Sequence, residues 1–114
     1  MLTSGDVVDL DLGIPHGSEA GFRHPAVVVT AQASLRRGAA VVQIVPTTST
    51  IRGEHSEVVI EPDRLNGLDR PSAAQCQHIR GVSSARIADV RGNVGPVVLA
   101  QVRDRLAVLL GLPV

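Results

Sequence analysis

The run Ala26-Val27-Val28-Val29-Thr30 carries β-branched side chains at four of its five positions. Branching at Cβ restricts side-chain freedom in a helix and suits a pleated surface, so the run predicts a strand. It has no polar alternation, which predicts a central strand covered on both faces. Working outward from it, Pro25 holds His24 extended, and a polar, glycine-containing loop occupies Ile14 to His24. Before that loop, Asp6 to Leu12 alternates, with Val8, Leu10 and Leu12 on one face and Asp9 and Asp11 on the other, a half-buried strand. On the downstream side, Ala40 to Val45 repeats the apolar theme with Gln43 inside it, and Glu57 to Glu61 is a shorter strand. Ser72 to Ser83 and Arg86 to Val90 predict two more, and Arg36 and Arg37 fall in a strand-connecting loop. Many short strands at close spacing favour a small barrel or sandwich.

Helical periodicity is confined to the C-terminal segment. Pro96 suits a first turn, where its missing N–H costs nothing. Leu99, Val102, Leu106 and Leu109 form an apolar stripe, with Gln101, Asp104 and Arg105 on another face, and Gly111 and Pro113 end the pattern. At 114 residues the chain reads as one domain, 1–114, mostly β with a closing C-terminal helix.

Composition narrows the functional classes. All eleven basic residues are arginine, and Phe22 is the single aromatic. A platform that stacks successive bases on aromatic rings cannot be built from one phenylalanine. The formal net charge of zero argues against tight, non-specific binding to a phosphate backbone, so a nucleic acid would be held locally, by arginines and backbone donors. Cys76, the one cysteine, excludes an internal disulfide and a cysteine-based zinc site. His16 and His55 lack ligand-type neighbours at metal spacing, so neither metal nor cofactor is expected. There is no apolar run of membrane-spanning length, and Met1 to Asp6 lacks the basic start and apolar stretch of a signal peptide, so the expectation is a cytoplasmic protein without a membrane partner.

Three ordered segments resemble the MazF/PemK toxin family. Gly5-Asp6-Val7-Val8, then Gly17-Ser18-Glu19-Ala20-Gly21-Phe22-Arg23-His24-Pro25-Ala26-Val27-Val28-Val29, is similar to the family's G-D-[IV]-[VW] followed by G-S-E-x-x-x-x-R-P-[AV]-[VL]-[VL], with the same nine residues from Gly17 to Pro25. Val45-Pro46-Thr47-Thr48-Ser49-Thr50 matches the strand end V-P-x-T-[ST]. Asn66-Gly67-Leu68, Pro71-Ser72 and Gln75-Cys76-Gln77-His78-Ile79-Arg80 resemble N-G-L, P-S and A-x-C-D-Q-I-R. Each motif is weak alone; their order along nearly the whole chain is specific.

The resemblance implies an SH3-like β-barrel of the MazF/CcdB/Kid plasmid-toxin type. It also implies a homodimer that cleaves single-stranded RNA (mRNA, tRNA or rRNA) at a short sequence without metal, leaving a 2′,3′-cyclic phosphate and a 5′-hydroxyl. Such toxins arrest growth and are held inactive by a cognate MazE-like antitoxin. The family's catalytic threonine maps onto Thr48, and Glu19 maps onto a loop glutamate implicated in catalysis or loop closure. The family's pre-proline arginine is replaced by His24, with Arg23 one residue earlier. Two assignments stay open: His24 transfers the proton, its reference pKa of about 6.5 suiting neutral pH, or Arg23 acts as the cation. RNA contact is expected from Ser18, Phe22, Thr47, Ser49, Gln77 and His78, the last two standing where the family has an acid–glutamine pair. CcdB-type toxins, which share the barrel but poison DNA gyrase, are the competing class, together with a catalytically impaired relative. The Gly-Ser-Glu loop and the Pro-Thr-Thr strand end favour the ribonuclease.

Overall fold

In the computed structural model, residues 1–11 and 23–113 are described, Arg23 in its backbone alone. The strands are β1 (Asp6–Asp11), β2 (Arg23–Val28), β3 (Val41–Thr48), β4 (Glu57–Ile60), β5 (Ser72–Gln75), β6 (Arg80–Ser83) and β7 (Ile87–Asn93). The helices are α1 (Gln32–Arg36) and α2 (Gly95–Leu110). All pairings are antiparallel, in the order β4-β5-β3-β2-β1-β7, with β6 also on β3. The mostly-β fold with a C-terminal helix is thus the expected one, and its ring of strands is not closed by pairing between β4 and β7.

The period of two along each strand divides the interior into two cores. Val7, Val27 and Val45 face α2 and meet Leu99, Val102 and Leu106. Val8, Leu10, Ala26, Val28, Ile44 and Val82 lie on the other side of the sheet with Leu35 of α1. The central strand is covered on both faces, as its composition predicts. β1 corrects the half-buried reading, because Asp9 is only 8% exposed and Asp6 is equally buried. Asp9 accepts from Arg91 Nε at 2.9 Å, and Asp6 accepts from the Thr3 amide and from Asn93 Nδ2. Burying these carboxylates without such partners would be costly.

Two further boundaries differ from expectation. Arg36 ends α1 and Arg37 caps it, so this pair sits at a helix C-terminus rather than in a strand-connecting loop. Ser72 to Ser83 is two strands, separated by a 3₁₀ turn at Cys76–His78. β3 pairs Ile44 with Arg80 and Thr47 with Ala74; the two registers are offset by three residues, which the turn absorbs. In α2, Leu99, Val102 and Leu106 are buried while Leu109 is 38% exposed, so the apolar stripe leaves the core in its last turn. Gly111 ends the helix in the left-handed region, at φ 67°.

Cys76 is buried in that turn, with Ala74 and Val102 carbonyls each 3.9 Å from Sγ. Burial pushes its thiol above the ordinary range, against a smaller lowering by Arg105. The folded protein therefore keeps the proton at a pH where the unfolded chain releases it, and this contribution to stability is lost as pH rises through the folded value. Native protein at pH 8 should react with a soluble thiol reagent many times more slowly than the urea-unfolded chain. Equal rates would show that the thiol is accessible.

Candidate active site

A cleft of about 710 Å³ opens where β1 ends and β2 begins. Leu10 and Ile44, both buried, form its base with Pro46. His24, Pro25, Thr47, Thr48 and Ser49 line one side. Leu68, Asp69 and Arg70 line it too, and Ser72, Gln75, His78, Arg80 and Arg91 complete it.

The β2–β3 register places the first of these. The β2–β3 ladder ends at Ala26 and Pro46, so His24 and Thr48, each two residues beyond it, flank the open end of these neighbouring strands. Thr47, on the alternate face, donates its hydroxyl to the Pro25 carbonyl at 3.0 Å and holds the two strand ends together. Thr48 Oγ1 accepts the Thr50 amide at 3.1 Å, which leaves its own proton to be donated. The hydroxyl is therefore oriented by the turn that follows the strand.

Of the residues expected from sequence, His24, Thr47, Thr48, Ser49 and His78 meet in the cleft. Gln77 does not line it; Gln75, two residues earlier, takes that place. A 3₁₀ turn advances about 120° per residue, so neighbours within it cannot share a face. Arg23 opens β2 opposite Asp11, and its side chain lies outside the described atoms. Ser18, Glu19 and Phe22 lie outside the described residues. The connection that carries them leaves the sheet at Asp11 and re-enters at Arg23, register partners at this end of it.

Sequence reasoning missed the arginines. Arg70, Arg80 and Arg91 bring three guanidinium groups to a cleft whose one described lining carboxylate is Asp69, although the chain as a whole is neutral. Arg91 is paired with Asp9, which does not itself line the cleft. Only Arg80 carried a signal: two residues before the apolar Val82, it shares the inward face of its strand.

Arg70 owes its place to a tightly built loop. Asn66, 1% exposed, donates Nδ2 to the Glu61 carbonyl at 2.8 Å and accepts from the Asp63 and Leu68 amides. Gly67 has φ 67°, and a Cβ there would stand 2.5 Å from the Arg91 carbonyl oxygen. A Cβ on Gly92 would stand 2.1 Å from the Leu65 carbonyl oxygen, which accepts the Asn93 amide at 2.8 Å. The Asn-Gly-Leu motif is thus a docking element that fixes one side of the cleft to β7. Among the described residues no group of three His, Cys, Asp or Glu side chains is placed to hold a metal.

Residues 3–110 match the model of a family described as PemK-like, MazF-like toxin of type II toxin-antitoxin system. The chain is 34% identical over 116 residues to endoribonuclease MazF9 of Mycobacterium tuberculosis, covering 98% of each. Its fold is similar to a MazE-MazF structure from Deinococcus radiodurans, with 31% identity, 96% of each chain covered and a TM-score of 0.78. It is also similar to an endoribonuclease in complex with its cognate antitoxin from a mycobacterial species, with 26% identity, 100% and 99% covered and a TM-score of 0.78.

Proposed function

Because this chain belongs to the PemK-like, MazF-like toxins of type II toxin–antitoxin systems, we propose that its cleft cleaves single-stranded RNA at a short sequence, without a metal. It is an endoribonuclease toxin, like the relative it matches over 98% of its length. The observation that supports the mechanism is that His24 and Thr48, from the neighbouring strands β2 and β3, line one cleft.

RNA supplies the nucleophile. The 2′-oxygen attacks the adjacent phosphorus as its proton passes to a base, the role we assign to the His24 imidazole. The bond from phosphorus to the 5′-oxygen then breaks, and that oxygen takes up a proton from water. The products are a 2′,3′-cyclic phosphate and a 5′-hydroxyl. Thr48 donates its hydroxyl to a phosphate oxygen as charge builds there. The cleft's cationic lining in a chain of zero net charge supports a local grip on a few nucleotides rather than a long electrostatic track.

The partners are single-stranded RNA, a cognate MazE-like antitoxin that silences the toxin by covering this cleft, and a second copy of the chain in a cytoplasmic homodimer. Val108, Leu110 and Leu112, each more than half exposed, support the dimer as apolar surface in want of cover.

Thr48→Ala should lower the cleavage rate by roughly ten- to a hundredfold, about 1–3 kcal/mol of transition-state stabilisation for one oriented donor. Its melting temperature should stay near wild type, since the change removes a half-buried hydroxyl and little volume. A gel assay of a labelled RNA pool, run with and without EDTA, tests both parts. Wild-type activity in the variant would reduce Thr48 to scaffold, and chelation that abolishes cleavage would refute the metal-free mechanism.

A further inference from the structure

We propose that Arg80 grips a non-bridging oxygen of the scissile phosphate. The inference rests on the ribonuclease reading. Arg80 pairs opposite Ile44, on the strand next to the one that ends in Thr48. Two residues on, Val82 is buried with Val42 and Ile44, so Arg80 leaves β6 on that same face, the face of His24 and Thr48. It lines the cleft with its side chain exposed there.

Of the other two cleft arginines, the Arg91 guanidinium is bonded to Asp9 at 2.9 Å, and Arg70 stands on the loop next to Asp69, the one lining carboxylate among the described residues. Among the described residues no carboxylate pairs with Arg80. A guanidinium with no carboxylate partner among the described residues, lining the same cleft as the Thr48 hydroxyl, is matched to a phosphate whose negative charge grows in the transition state. The following Gly81 leaves the backbone beside it without a side chain.

The test uses full-length protein and RNA carrying one phosphorothioate at the scissile position, each diastereomer separately. Sulfur accepts hydrogen bonds poorly, so in the wild type one diastereomer should be cut on the order of tenfold more slowly than the other. Arg80→Ala should lose about a hundredfold in kcat and also lose that discrimination, because the contact is already gone. Arg80→Lys should recover part of the rate, as a point charge without the fork. Thermal melting verifies that each variant is folded. Unaltered kcat in Arg80→Ala, or undiminished discrimination between diastereomers, would overturn the proposal. Amide NMR with inorganic phosphate separates this outcome from failure of the ribonuclease reading. Shifts at Gly81 and Thr48 in the wild type, lost in Arg80→Ala, would support the phosphate site even in a protein that cuts no RNA. No shift in the wild type would refute it.

Discussion

His24→Ala should slow RNA cleavage by about two to four orders of magnitude, the usual contribution of a positioned proton-transfer group. The side chain is exposed at the start of β2, so its removal leaves both cores intact. Two companion variants separate chemistry from scaffolding. His24→Arg restores the residue that the family places before the proline but cannot release a proton near neutrality. If imidazole carries the proton, His24→Arg stays slow, because a guanidinium does not take up and release a proton as a base must. If the neighbouring Arg23 has taken the family arginine's part, Arg23→Ala is the silent variant and His24→Arg is tolerated. Rates of all three across pH 5 to 9 decide between them, and full activity in both alanine variants would remove this strand end from the mechanism.

Gly92→Ala should be the most destabilising single methyl in the described chain. The added Cβ would meet the Leu65 carbonyl oxygen at 2.1 Å and the Asn66 carbonyl carbon at 2.8 Å. Both are backbone atoms, held by the Asn66 side chain and by the Asn93 amide, so neither yields as a flexible side chain would. Overpacking against backbone costs about 3 kcal/mol, the upper end of what an inserted methylene usually costs. For a domain of this size that corresponds to a melting temperature lower by more than about 10 °C. The loop bearing Asp69 and Arg70 would be forced from β7, so cleavage should fall with stability. Gly38→Ala is the comparison: nothing lies within 4 Å of a Cβ there, and only its φ of 73° penalises a side chain, by roughly 1–2 kcal/mol. A wild-type melting temperature for Gly92→Ala would show that the loop and β7 are not in register as described.

What the sequence revealed follows the range over which each signal acts. The Pro96 start and the Gly111 stop are local and land within a residue of the observed helix, whereas the run from Ala26 to Thr30 belongs to a strand that begins three residues earlier, at Arg23, and takes in His24 from the expected loop. Thr48 was legible because its motif fixes it to the end of a strand. Asp9 was misread because alternation suggests solvent, whereas its partner Arg91 is 82 residues away. The five-residue α1 has one buried side chain, Leu35, and no side-chain cap, too little for a helical period to register. Gln77 and Gln75 exchanged roles because three residues of 3₁₀ geometry interrupt what reads as one strand. Arg70, Arg80 and Arg91 come from a loop and two strands, and only long-range pairing brings them to one cleft.

The anchoring of the β1–β2 connection at Asp11 and Arg23 bears on how such a toxin diversifies. Because its two ends are ladder partners, the sheet closes that segment whatever its content, and doubling its length would add only about 0.6 kcal/mol of closure entropy. Residues can therefore be substituted or inserted between these anchors at little cost to either core, so the folding of the sheet is insulated from whatever that segment is selected for.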